Sequence, residues 1–118
     1  MLKQALDHPH LQGLARLAFA LGLLIISWLA LSPHPPQGLS TGWDKANHAL
    51  AFAALACCGS LGLRWRSRWL LGALMAYGLL IEILQTQVPG RSGEAADLLA
   101  DDLGALAGIL LVRLLMRR

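Results

Sequence analysis

The sequence predicts an all-α fold: four transmembrane helices with short loops, packed as an integral membrane four-helix bundle. Three observations predict it. Hydrophobic residues make up 56% of the 118-residue chain and charged residues only 14%, whereas a soluble domain carries about a quarter charged residues. The mean hydropathy is +0.54. The apolar residues also gather into four runs of about 18–22 residues, each long enough to cross a hydrocarbon core of roughly 30 Å as a helix.

The first run is Leu14 to Leu31, LARLAFALGLLIISWLAL, almost without interruption. Its long polar lead-in and the Pro33 after Ser32 argue against a cleaved signal peptide, so the run reads as a retained span. The second run, Ala46 to Leu63, is broken near its start by Asn47 and His48. Trp69 to Val88 is the third. Ala95 to Met116 is the fourth, with Asp97, Asp101 and Asp102 near its beginning. None shows the period-two alternation of a strand, and all are rich in Leu and Ala, which favour helix. Short connections predict that sequential helices run antiparallel. Residues 1–118 leave room for one compact domain.

Charge orients these spans. Lys3 and Arg16 lie at the start of the chain, Arg64, Arg66 and Arg68 between spans two and three, and Arg113, Arg117 and Arg118 at the end. All three places fall on one side of a four-span protein, and the positive-inside tendency makes that side cytoplasmic. Both termini are then cytoplasmic, in a multi-pass protein of the bacterial cytoplasmic (inner) membrane. Trp28 and Trp43 flank the outer interface and Trp65 and Trp69 the inner one, as in an aromatic belt. The net charge of +3 reads as a positively flanked membrane face. It does not read as a nucleic-acid stripe, because the Arg residues adjoin apolar runs. Cys57 and Cys58 are adjacent and apolar in context, which reads as packing rather than a disulfide or zinc motif. His8, His10 and His34 lie in polar flanks and read as solvated, and Tyr77 reads as packing.

Eight polar residues remain: Asp44, Lys45, His48, Glu82, Gln85, Arg91, Asp97 and Asp101. Charges in or against a bilayer are costly and are rarely kept without a partner or a function. On the expected topology all eight fall at the outer face. Asp44 and His48 are four apart, as are Asp97 and Asp101, and Glu82 and Gln85 are three apart, so each pair shares a helix face. Asp44 also suits the N-cap of span two. Gly104 and Gly108 continue the Asp97–Asp101 stripe inward as GxxxG, which permits close helix packing and turns that stripe toward the bundle interior.

Two segments resemble a known family. DKANHALAF, Asp44 to Phe52, resembles the Asp-Lys-x-x-His-x-x-x-Phe signature of VanZ-like membrane proteins. EILQTQVPGRSGEAADLLADDLGALAG, Glu82 to Gly108, resembles that family's second signature, Glu-x-x-Gln, then Pro-Gly-Arg, then Asp-x-x-x-Asn followed by glycines. Asp101 stands where the signature has Asn. A carboxylate there either changes what an acidic site binds or is carried protonated. The resemblance implies a cell-envelope role at the outer face of the membrane and a link to teicoplanin susceptibility. It does not specify a reaction.

Several readings of the eight residues stay open. His48, Glu82 and Asp97 are the candidate acid–base groups. Arg91 and Lys45 are the candidate anion contacts, with salt bridges to Asp97 or Glu94 as the plainer role for Arg91. The spacing matches no metal motif, Ser92 has no nucleophile context, and no cofactor is called for. Three functions fit. One is binding or modification of an envelope lipid or lipid-linked glycan. The second is a proton-coupled transporter or its accessory subunit, which four spans would need to assemble as an oligomer. The third is a structural protein whose polar cluster fixes helix packing.

Overall fold

A computed structural model describes residues 2–32, 44–88 and 95–116, and these are helical, with no strand. The helices are α1 (Leu2–Leu6), α2 (Pro9–Leu31), α3 (Asp44–Gly62), α4 (Ser67–Gln85) and α5 (Ala95–Met116). The short α1 was not expected, and it packs against α2 and α5. α2 also starts five residues before the apolar run. Pro9 is its first residue, where a missing N–H costs nothing, and the His8 ring accepts a hydrogen bond from the His10 backbone N–H at 3.2 Å. Both rings are exposed and stacked, with centroids 5.1 Å apart.

Close contacts fix the directions of the helices. Along α2 and α3, Gly22 meets Leu55, Phe19 meets Gly59, and Arg16 meets Gly62, so numbering falls on one as it rises on the other. α3 and α5 run parallel: Ala49 lies on Gly104, and Ala53 and Ala56 lie on Gly108. α4 runs parallel to α2, since Tyr77 reaches Leu23 and Gln85 reaches Ala30. Sequential helices from α2 to α5 therefore alternate in direction. α3 and α5 form the tightest pair, because their shared seam is glycine facing alanine. A Cβ on Gly104 would stand 2.8 Å from both Cα and C of Ala49, so only the missing side chain lets the backbones approach this closely.

The interior is small and the exterior is not. Phe52, Leu55, Ala56, Leu70, Leu74, Ala105 and Ile109 form the buried core, with Phe19, Leu23, Ile26 and Tyr77 packed around it. The exposed surface carries Leu14, Leu17, Leu21, Leu24, Ile25 and Trp28 on α2 alone, and Leu99, Leu103, Leu110, Leu111 and Leu114 on α5. Contiguous apolar faces of this extent suit a hydrocarbon solvent rather than water. Two helices, Pro9–Leu31 and Ser67–Gln85, are long and apolar enough to cross a membrane, and Ala46–Gly62 is apolar but shorter. The expectation of four membrane spans is thus met by two helices on length and composition. The His48 end of α3 and the aspartates of α5 dilute the other two.

The α3–α4 connection turns at Arg64, which has φ 58. This left-handed conformation ends the helix as a glycine usually would. Arg66 caps α4 through its carbonyl, which accepts from Leu70 N at 3.1 Å. The Arg64 guanidinium lies 3.6 Å from the Asp7 carboxylate. Both groups are exposed, so this ion pair adds little stability.

Candidate functional site

The site begins with a histidine held from below. His48 stands on the first turns of α3, and its Nδ1 lies 2.8 Å from Asp101 Oδ1 on α5. Its Nε2 lies 3.9 Å from Asp97 Oδ2, one helical turn away on the same face of α5. The depths differ. The Asp101 side chain is 1% exposed and the Asp97 side chain 6%, whereas the His48 side chain is 19% exposed. A carboxylate this deep is tolerable only with a strong partner, and His48 is that partner.

α4 completes the level. Gly78 faces Asp101, and a Cβ there would stand 3.2 Å from Asp101 Oδ2. α4 and α5 run antiparallel, so one turn forward from Gly78 reaches Glu82, and one turn back from Asp101 reaches Asp97. The register therefore sets Glu82 and Asp97 at the same level of the fold. Both are buried, as is Gln85. Gln85 also ties α4 to the end of α2, because its Nε2 donates to Ala30 O at 2.9 Å. Gln85 Oε1 is buried without a hydrogen-bond partner among the described residues, and so is Asp102 Oδ1.

Three helices thus bring His48, Glu82, Gln85, Asp97 and Asp101 to one end. Asp44 and Lys45 form the start of α3, within two turns of His48. Arg91, Glu94 and Ser92 lie outside the described residues, as do His34 and Trp43. Trp28, Trp65 and Trp69 are exposed, and the Arg68 guanidinium lies over the Trp69 ring at 5.6 Å. Among the described residues no group of three His, Cys, Asp or Glu side chains is arranged to hold a metal ion. The two thiols are free, and Cys57 Sγ lies 3.6 Å from Gly108 O on the α3–α5 seam.

Sequence reasoning missed one polar contact. The Tyr77 hydroxyl donates to Leu23 O at 3.0 Å, which leaves the Ser27 hydroxyl to donate to the Tyr77 oxygen at 2.6 Å. The Tyr77 ring also stacks on Phe52 with centroids 5.8 Å apart. The signal was present: a tyrosine and a serine each inside an apolar run need partners for their hydroxyls.

Among the described residues the fold is all-helical, with apolar outer faces and an acid–histidine cluster at one end, the features of a helical membrane protein. Residues 11–116 match the model of the VanZ/LLP1 family, and the chain belongs to that family. Comparison with curated proteins and with solved structures gave no match.

Proposed function

We propose that this VanZ-like protein crosses the cytoplasmic membrane four times, with both termini inside, and uses the polar end of its helices as an extracytoplasmic site for an envelope lipid or lipid-linked glycan. One observation carries the reading: buried polar side chains of α4 and α5 converge with the partly exposed His48 of α3 at a single end, while the Arg-rich turn at Arg64, Arg66 and Arg68 lies at the other. Length agrees. At about 1.5 Å per residue, α3 and α4 span roughly 28 Å, and α2 and α5 roughly 33–35 Å, against a hydrocarbon core of about 30 Å. The aspartates of α5 then fall in its first turns, near the outer headgroup layer. In this reading Arg91 and Lys45 hold the anionic part of the headgroup. Glu82, Gln85 and Asp97 take its hydroxyl or amide groups, with Asp44 alongside and Asp101 supporting His48 from behind. Proton transfer at His48 would turn binding into modification of the lipid. A change in teicoplanin susceptibility is the expected consequence in the cell.

A purely structural role is the second reading, favoured by the His48–Asp101 and Gln85–Ala30 bonds, which join helices. The deciding experiment is mass spectrometry of copurified lipid from the parent and from Arg91→Ala, with membrane abundance measured alongside. Loss of a bound lipid species at unchanged abundance supports the proposal. An identical lipid complement, with any phenotype falling in step with abundance, leaves the structural role.

A further inference from the structure

We infer that Asp101 is a positioning residue that fixes which nitrogen of His48 handles a proton: Nδ1 is locked and Nε2 is the working atom. This rests on the headgroup-site reading and assigns roles within it. The two groups differ in depth. With its side chain 1% exposed, Asp101 lies behind the histidine, out of reach of a bound headgroup, while the 19% exposed imidazole is the accessible member of the pair. Gly78 of α4 closes over the Asp101 side, where an added Cβ would lie 3.2 Å from Asp101 Oδ2.

Chemistry then sets the tautomer. With Asp101 ionised, its carboxylate can only accept, so at 2.8 Å the hydrogen between Asp101 Oδ1 and His48 Nδ1 comes from the imidazole. A protonated Asp101 would donate instead and leave the ring hydrogen on Nε2, the result that overturns the inference. The hydrogen bond at one ring nitrogen decides the state of the other. In the neutral ring Nε2 must carry the lone pair. In the charged ring Nε2 carries the second hydrogen, and Asp97 Oδ2 at 3.9 Å stabilises it from across a gap too wide for a direct hydrogen bond. Every proton His48 gains or loses is therefore confined to Nε2, on the Asp97 side. A ligand group that engages the neutral histidine must offer an O–H or N–H, as sugar hydroxyls and headgroup amines do.

The α3–α5 seam maintains this arrangement. Ala49 follows His48 directly, and it is pressed onto Gly104, three residues past Asp101. Among the described residues Asp97 and Asp101 of α5 face the ring, Glu82 lies on the buried face of α4, and Asp44 and Lys45 precede His48 by about one turn of α3.

The test is nitrogen-15 NMR of histidine-labelled protein in lipid nanodiscs, with the His48 signal assigned by its loss in His48→Gln. As the neutral ring forms with rising pH, the retained hydrogen should sit on Nδ1. Asp101→Ala should lose that Nδ1–H signature and return His48 to the pattern of the exposed His8 and His10. A neutral His48 that keeps its hydrogen on Nε2 in the parent overturns the inference, whether or not Asp101→Ala folds. So does an unchanged tautomer in folded Asp101→Ala. The headgroup-site reading fails separately, through the copurified lipid of the parent, because the tautomer is read without ligand.

Discussion

Gly104→Ala tests the seam on which the candidate site depends. The new Cβ would stand 2.8 Å from Cα and C of Ala49 and nearer still to Ala49 O. Carbon atoms rest at about 3.5–4.0 Å, so α5 must retreat by roughly 1 Å. The obstacle is backbone, which has no rotamer to change, so the cost falls in the upper part of the overpacking range, about 2–3 kcal/mol. In water about 1 kcal/mol would return through the better helix propensity of Ala. In a membrane that offset nearly vanishes, because the separated helices stay helical to keep their backbone groups bonded. Gly72 is the internal control. It is exposed on α4 with nothing within 4 Å of its would-be Cβ, so Gly72→Ala should change stability by less than about 0.5 kcal/mol. Titration of detergent-solubilised protein with SDS, followed by tryptophan fluorescence, should show Gly104→Ala unfolding well before the parent and Gly72→Ala unfolding with it. Equal midpoints for the two variants would refute the claim that α3 and α5 meet through glycine.

Other substitutions read single contacts. Tyr77→Phe removes the bonds to Leu23 O and Ser27 Oγ and should cost about 0.6–1.5 kcal/mol in the same titration. Ser27→Ala should cost less, because the Tyr77 hydroxyl still donates to Leu23 O. Equal costs for the two would show that the tyrosine hydroxyl works only through Ser27. Gln85→Leu strips the donor from Ala30 O and should cost about 1 kcal/mol, with α2 rather than α5 loosened in hydrogen exchange. In a Cys57→Ala, Cys58→Ala background, a cysteine at Ser40 should react with an impermeant reagent added to intact cells, and one at Ser67 should not. Labelling at Ser67 from outside would reverse the proposed orientation.

Much of this architecture was readable in the sequence because two signals do not depend on tertiary detail. Long Leu- and Ala-rich runs can only be helix, and residues at i and i+4 must share a face. Hence the four long helices, and Asp97 above Asp101. Boundaries were less readable. His8 and Pro9 look like a polar flank but start α2, because proline fits the first helical position and the His8 ring caps it. Partner choice was least readable. Asp101, Glu82 and Gln85 all looked like site residues, yet Asp101 is sealed beneath His48 and half of the Gln85 amide is spent on α2. Nothing in their spacing separates these depths. They follow from Gly78 and Gly104, which let α4 and α3 close over Asp101.

Gly78 allows the site to be perturbed without the seam. A Cβ there would lie 3.2 Å from Asp101 Oδ2 and 3.4 Å from Leu98 Cδ1 and Phe52 Cε2. These neighbours are side-chain atoms that can give by a few tenths of an ångström, unlike the backbone facing Gly104. Gly78→Ala should therefore cost less than about 1 kcal/mol, below the usual overpacking range. Asp101 would still shift, and with it the 2.8 Å bond to His48. The His48 nitrogen resonances should move while the SDS midpoint stays near that of the parent. If the midpoint instead falls as far as in Gly104→Ala, Asp101 is packed as rigidly as the seam itself. The histidine would then be fixed by the whole helix interface rather than by one carboxylate.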